Sequence, residues 1–495
     1  MSEPLELIST ADSPDPLPSP GQRMRATLER QRAACMAELP VSAAIRKDRL
    51  RRSLNLVLEN EDRLVEALSE DYGHRSPIQS QLADIMGTVK PLRQALTEVE
   101  RWMKPERRKV DLPLWLLGAR ARVEYQPKGV VGVISPWNFP VFLTFGPLAE
   151  IFAAGNRAMV KPSEHTPATA ALMRELAEAA FDEDELAVFT GGVEVGKAFS
   201  QLPFDHLIFT GSTALGREIQ RAAASNLVPT TLELGGKSPA IIGSSANLQR
   251  TCDRLVAGKL LNAGQVCLAP DYLLVPAAHE RAIIEGLQAA AAAMYPSIHD
   301  NPDFCSLINA RHRERLRGLV DDARDKGAEL TVVNPGGETL DQPGSNKMAL
   351  HLLREVTSDM RVMQEEIFGP VLPVITYERI DEAIAYINAR PRPLGLYYFG
   401  EDQAEQTKLL ERTIAGGVTI NDVIYHGVTN DLPFGGVGES GMGAYHGFDG
   451  FRTFSHAKGI YTQPRVDLAK LAGLVPPYGD KSRKSLEMQI GKPER

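Results

Sequence analysis

After Pro127 the chain settles into an order of segments that few folds accept. A short apolar run meets a glycine or proline turn, then a helical pattern, then another apolar run. Residues 129–135 read as a buried strand stopped at Pro136. Residues 145–154 read as an apolar helix with Pro147 near its start, stopped by Gly155 and Asn156, since both tolerate the left-handed backbone. The next strand is 158–161, Thr166 and Pro167 open a helix to about Phe181, and the strand 206–210 runs directly into Gly211 and a further helix. Strands alternating with helices in this way form a parallel sheet covered on both faces. A second alternation is expected from about Thr230 to Ile420, with strands at 231–234, 239–242 and 272–275 and a helix at 255–262. The fold class is therefore α/β, with two doubly wound open sheets.

The 495 residues are too many for one ordinary core, so two or three domains are expected. From Gly21 to about Arg108 the pattern is helical, broken by a loop at 71–77, and suits a helical layer packed on another element. The basic run 104–109 reads as a solvated face. A net charge of -8 repels phosphate backbones, which argues against nucleic acid as a partner. The four cysteines, Cys35, Cys252, Cys267 and Cys305, show no C-x-x-C spacing. They make neither a disulfide framework nor a zinc site, so no metal is expected and a reducing compartment suits the chain. Residues 1–21 are rich in proline and acidic residues, lack the basic start and apolar core of a signal peptide, and read as a flexible tail. No run approaches the ~18 apolar residues of a membrane helix. A cytoplasmic protein without a membrane role is expected.

Five windows carry possible chemistry, and each has a plainer reading beside it. In Asn262-Ala263-Gly264-Gln265-Val266-Cys267 a glycine turn after a helix presents a thiol beside free backbone N–H groups, which would favour the thiolate; a lone cysteine is more often a buried structural one. Glu233 lies between Leu232 and Leu234 in a strand ending at Gly235 and Gly236. A carboxylate there is costly to bury without a partner or a task, unless it simply faces solvent. Gly211 and Ser212 stand where a strand turns into a helix, a place for a pyrophosphate, although the spacing is not G-x-G-x-x-G and a plain turn reads equally well. Lys161, Ser163 and Glu164 follow a strand at the sheet edge where ligands lie; Glu164 can accept from ribose hydroxyls and Lys161 can donate. The alternative is an exposed charged loop. Asn138, rigid between Pro136 and Pro140, can donate to a developing oxyanion or serve only as a turn residue. Together, a thiol, a carboxylate, an amide donor and a nucleotide cradle suit oxidation of a carbonyl through a thioester.

These windows, with Glu365-Glu366-Ile367-Phe368-Gly369-Pro370 and Pro433-Phe434-Gly435-Gly436, make the chain resemble the aldehyde dehydrogenase superfamily over about residues 23–458. The stretches 269–272 and 421–426 resemble its class 3 branch, and 132–141 and 71–76 are most similar to bacterial coniferyl aldehyde dehydrogenases. The resemblance implies that Cys267 attacks the aldehyde, that Asn138 and the Cys267 backbone N–H hold the oxyanion, and that Glu233 activates water against the thioester. It implies that Lys161 and Glu164 bind the adenosine ribose, that Ser212 meets the pyrophosphate, that Ser163 and Gly211 also belong to the cofactor site, and that Leu215 packs near the adenine. Glu366 then takes the nicotinamide ribose and Phe368 packs beside the nicotinamide. The implied cofactor is NAD, because Glu164 repels a 2′-phosphate, with NADP still usable. The implied substrate is an apolar aldehyde, aromatic such as coniferyl aldehyde or medium-to-long aliphatic, oxidised to the acid. The implied layout is a tail (1–21), a cofactor domain (22–232), a catalytic domain (233–429), and an arm and tail (430–495) that with 110–126 builds a homodimer. Two rivals are a CoA-acylating enzyme, which needs no Glu233 base, and a non-catalytic relative that keeps the fold.

Overall fold

The computed structural model describes residues 19–112 and 114–491. Most of the expected N-terminal tail therefore lies outside the described residues. The helical layer begins at Pro20, where Ser19 and Gln22 close a reciprocal cap. It continues through Ala43–Leu58, Glu61–Tyr72 and Met86–Trp102. Leu50, Leu64, Leu68, Leu92 and Val99 from these helices are buried in one core with Phe145, Phe152 and Val160 of the first sheet and its helices.

The first sheet has six strands in the order Gly441–Met442, Thr230–Leu234, His206–Gly211, Val130–Ile134, Arg157–Lys161 and Leu186–Val188. All are parallel except Gly441–Met442. The chain builds outward from Val130–Ile134 on one side and then returns to its other side with His206–Gly211. That reversal opens a crevice beyond the carboxyl ends of these two strands. The second sheet has seven strands, from Glu329–Val333 through Tyr272–Pro276 and Pro239–Ile242 to Gly417–Ile420. Its interior strands are apolar throughout because helices cover both faces.

Several expectations need correcting. The second alternation starts at Pro239 and not near Thr230, because Thr230–Leu234 pairs in parallel with His206–Gly211. The single helix expected at 145–154 is two short ones, Phe142–Phe145 and Leu148–Ala153, parted by Gly146 and Pro147. Gly155 takes the left-handed backbone (φ +88). Asn156 does not; its side-chain carbonyl instead accepts from Lys128 N (2.7 Å) and Gly129 N (3.0 Å). The basic run is partly a strand, Glu106–Arg108, on the edge of a three-stranded antiparallel sheet with Arg120–Pro127 and Ser455–Thr462. The C-terminal tail carries the helices Leu468–Leu471 and Asp480–Ile490. Among the described residues no helix is long and apolar enough to cross a membrane.

His206 ties the first sheet to the chain's C-terminal segment. Its Nε2 meets Thr231 Oγ1 at 2.9 Å, and its Nδ1 accepts from Lys128 Nζ at 3.0 Å, which also donates to Thr453 O. Burial, aided by the Lys128 charge, pushes His206 down to about 3 from 6.5. The unfolded chain therefore binds a proton that the folded one refuses. Stability should be intact above pH 6.5 and fall as pH drops toward 4, by on the order of 3–5 kcal/mol from this residue. Melting temperatures between pH 7 and 4.5 check this: a His206→Gln chain should show a shallower decline than the unsubstituted one.

Candidate active site

The crevice of the first sheet faces the second sheet across a cavity of about 900 Å³. Its walls include Asn138, Gly211, Ser212, Glu233, Cys267, Glu366 and Phe368. Five separate segments of the sequence thus converge on one space. Lys161, Ser163, Glu164 and Leu215 are not in that lining. Lys161 and Glu164 form an ion pair at 2.8 Å. Burial alone would raise Glu164, but the hydrogen bond and charge of Lys161, its own backbone N–H and the charge of His165 together hold the carboxylate below its usual range. Leu215 is half exposed on the first turn of the helix Thr213–Ala224.

Cys267 is placed by a strained turn. The helix Leu248–Leu260 stops two residues before the expected Asn262, and Asn262, Ala263 and Gly264 then take positive φ in succession (48°, 53° and 77°). Such backbone costs about 1–3 kcal/mol at each non-glycine position and persists only where neighbours over-determine it. Here Gln79 Oε1 accepts from Asn262 N (2.8 Å), and Gln265 Nε2 donates to Asn262 O (2.9 Å) and Ser306 O (3.1 Å). A Cβ at Gly264 would collide with the carbonyl of Gly369, so only glycine suits that position. The result is a cysteine half-buried at the cavity wall while Val266 and Leu268 point into the core.

The thiol is not activated as expected. Burial pushes Cys267 well up, the Glu233 and Glu366 carboxylates push it further, and the backbone N–H groups of Cys267 and Leu268 offset only part of this. Asn138 Nδ2 donates to Gln265 O at 3.2 Å, which fixes the amide over the cysteine turn. Tyr72 Oη donates toward the carbonyls of Trp137 and Asn138, and Asn262 Nδ2 also donates to Asn138 O at 3.0 Å. Glu233 is 1% exposed and its Oε1 has no hydrogen-bond partner among the described residues. Burial raises it well above 4.5. The sequence offered solvent exposure as the plainer reading of this residue; its position is instead that of a buried carboxyl without a structural partner.

Glu366 and Phe368 belong to a loop tied down from below. Lys237 pairs with Asp271 and donates to Val362 O (2.8 Å) and Glu365 O (3.1 Å). Asp271 Oδ1 accepts from Ile367 N at 2.9 Å. The Glu366 carboxyl lies so close to Gly235 that a Cβ there would overlap it. Burial first and Asp271 second push Glu366 up to about 8. Phe368 (φ +50) meets Trp137 edge-on at 5.3 Å. Tyr72, Gln79, Gln265, Lys237 and Asp271 are the supporting residues that sequence reasoning missed. Lys237 and Gln265 carried a signal as polar residues inside glycine-rich motifs, and Tyr72 and Asp271 lay in stretches that carry the family resemblance.

A nucleotide suits this cavity on its donor chemistry. The twelve-residue helix Thr213–Ala224 directs its first turn at the cavity, with Ser212, Thr213 and Ala214 on the wall. Unsatisfied N–H groups at such a terminus are a phosphate site.

Two largely parallel sheets thus bring a cysteine, a buried glutamate, an asparagine and a helix N-terminus to one cavity. The Aldehyde dehydrogenase family model matches residues 23–460, and the chain belongs to that family, whose members depend on NAD(P). It is 53% identical over 470 residues to the probable coniferyl aldehyde dehydrogenase of Caulobacter vibrioides (95% of this chain, 97% of that one). It is 50% identical over 463 residues to the coniferyl aldehyde dehydrogenase of a Pseudomonas species (94% and 95% covered). A substrate-bound structure of Staphylococcus aureus AldH superposes with a TM-score of 0.87 at 36% identity, covering 94% of this chain and 99% of that one. An indole-3-acetaldehyde dehydrogenase from P. syringae, solved with NAD+, has a TM-score of 0.81 at 26% identity, with 90% and 89% covered.

Proposed function

We propose that the chain oxidises an apolar aldehyde to its carboxylic acid, with coniferyl aldehyde and related aromatic aldehydes as the preferred class. Carrying this reading is the convergence of Cys267, Glu233 and Asn138 on one cavity wall, together with about half of all residues shared with two coniferyl aldehyde dehydrogenases. Cys267 Sγ adds to the aldehyde carbon, and the proton lost from the thiol leaves through the cavity. The Asn138 amide and the Cys267 backbone N–H hold the resulting oxyanion. Gly211 and Ser212 would hold the phosphates of NAD(P), Lys161, Ser163 and Glu164 its adenosine ribose, Leu215 its adenine, and Glu366 and Phe368 its nicotinamide end; when bound, the cofactor would supply the hydride acceptor. Glu233 then draws a proton from water that attacks the Cys267 thioester.

NAD is the preferred cofactor in this reading, since the Lys161-paired carboxylate of Glu164 repels a 2′-phosphate. The cofactor and catalytic halves divide after Leu234, at the Gly235-Gly236 pair, and not between 232 and 233, because that boundary would cut a strand of the first sheet. A homodimer builds on Ser455–Thr462, an exposed edge strand with no strand partner on its other side among the described residues. A cytoplasmic location agrees with four cysteines that are all free thiols.

The test is turnover of benzaldehyde, coniferyl aldehyde and decanal with NAD, NADP and NAD plus CoA, compared as kcat/KM. The expected result is acid and NADH without CoA, highest for coniferyl aldehyde. An acyl-CoA product, or no turnover of any aldehyde, would reverse the reading.

A further inference from the structure

The loop that carries Asn138 is gripped at both ends by three buried side chains. At its start, Tyr72 Oη meets the carbonyls of Trp137 (3.0 Å) and Asn138 (3.1 Å). At its end, Asp84 Oδ1 accepts from Val141 N (2.9 Å) and Phe142 N (3.1 Å). Arg75 joins the two grips. Its guanidinium pairs with Asp84 Oδ2 at 2.8 Å and lies over the rings of Tyr72 (5.0 Å) and Phe139 (5.3 Å). Trp137 and Asn138 stand on the cavity wall with Cys267, whereas Tyr72, Arg75 and Asp84 do not. The three can therefore touch the chemistry only through the loop.

Stability gives little reason for this arrangement. Arg75 and Asp84 are both fully buried, and a buried ion pair is often no better than well-packed apolar residues in its place. Arg75 Nε and Nη1 have no hydrogen-bond partner among the described residues, which adds to the cost. Asp84 also sits on a single π-turn, Gln81–Ile85, a helix distortion found most often at functional places. What the three residues secure is position. The Asn138 amide donates to Gln265 O in the cysteine turn at 3.2 Å, so the loop is fixed on one side by that turn and on the other by the trio. A donor displaced by even ~1 Å from a reacting centre can cost about 10^2-fold in rate.

We propose that Tyr72, Arg75 and Asp84 are positioning residues for the Asn138 amide, setting its place against the Cys267 oxyanion through residues 136–142. The inference rests on the oxyanion role given above to Asn138. None of the three exchanges a proton or touches substrate.

The test uses the full chain with two variants. Tyr72→Phe removes only the hydroxyl, and Asn138 O keeps its bond from Asn262 Nδ2 (3.0 Å). The paired Arg75→Leu/Asp84→Leu removes both charges together, so that neither is left buried alone. Each is made in the unsubstituted chain and on Asn138→Ala, and NADH formation in the first turnover is followed by stopped flow with coniferyl aldehyde. The expected result is a first turnover slowed roughly 10–100-fold by the pair and at least about threefold by Tyr72→Phe. KM for the aldehyde and Kd for NAD should stay within about twofold, and neither change should slow Asn138→Ala further. A general structural defect would instead multiply with Asn138→Ala. Multiplied effects, or a first turnover at the unsubstituted rate, would overturn the proposal. If the pair does not fold, Tyr72→Phe decides by the same cycle. If Asn138→Ala alone leaves the first turnover unchanged, the oxyanion reading fails instead. Hydrogen exchange of the 136–142 backbone then decides: faster exchange in the variants upholds the grip, and unchanged exchange overturns it.

Discussion

A Cys267→Ala chain will form no NADH from aldehyde while still binding NAD. Loss of the nucleophile removes the covalent route altogether, so turnover should fall by at least ~10^3-fold, into the background of the assay. No other thiol can stand in, because Cys35, Cys252 and Cys305 are all buried. Cys267→Ser should do almost as badly, since the hydroxyl has the same burial and a far weaker nucleophile. Binding should survive in both, because the Ser212 helix terminus and the tied Glu366 loop do not depend on the sulfur. Calorimetric titration with NAD alongside a stopped-flow assay separates the two properties. Loss of binding together with turnover would mean that the cysteine turn, and not the thiol, holds the site together.

Glu233→Gln should produce a different defect. The first turnover should release NADH at near the unsubstituted rate, and then the enzyme should stall as a thioester. Removing a general base costs about 10^2–10^4-fold, here in the steady state only. The substituted amide keeps the shape of the carboxyl, and no partner of Oε1 is lost, because that atom has none among the described residues. The pH profile carries the sign. Burial raises Glu233 well above 4.5, so the active, deprotonated form is lost as pH falls through a value above the ordinary carboxylate range. The unsubstituted chain should therefore lose steady-state activity on the acid side, and the glutamine variant should lack that limb. A stalled first turnover in the variant, with NADH release itself slowed, would instead place Glu233 before hydride transfer.

The fold was legible wherever one pattern answered one physical demand. Strands buried on both faces are mostly apolar, so 129–135, 158–161, 206–210 and 239–242 announced themselves. The strand containing Glu233 was also visible, but its sheet was not, because membership is decided by which neighbour pairs with it. Helix 145–154 misled for a local reason: apolar periodicity continues through Pro147 although the backbone ladder does not. At the site, motif residues were legible because glycine turns and a carboxylate between leucines break local rules. The supports were not. Tyr72, Gln79 and Asp271 reach the cysteine turn and the Glu366 loop across the fold; Tyr72 and Asp271 stand in stretches that carry the family resemblance, but nothing local gives either a supporting role, and nothing marks Gln79. The thiol's environment was misjudged for the same reason, since its burial and the facing carboxylates of Glu233 and Glu366 come from the tertiary fold.

The most direct measurement of the central claim is the intact mass of the Glu233→Gln chain after mixing with NAD and coniferyl aldehyde, followed by peptide mapping. The account predicts one adduct per chain, equal to the aldehyde less two hydrogens, on the peptide bearing Cys267, with one NADH released per adduct. An adduct equal to the whole aldehyde, an adduct on Cys35, Cys252 or Cys305, or NADH formed with no adduct at all would contradict it.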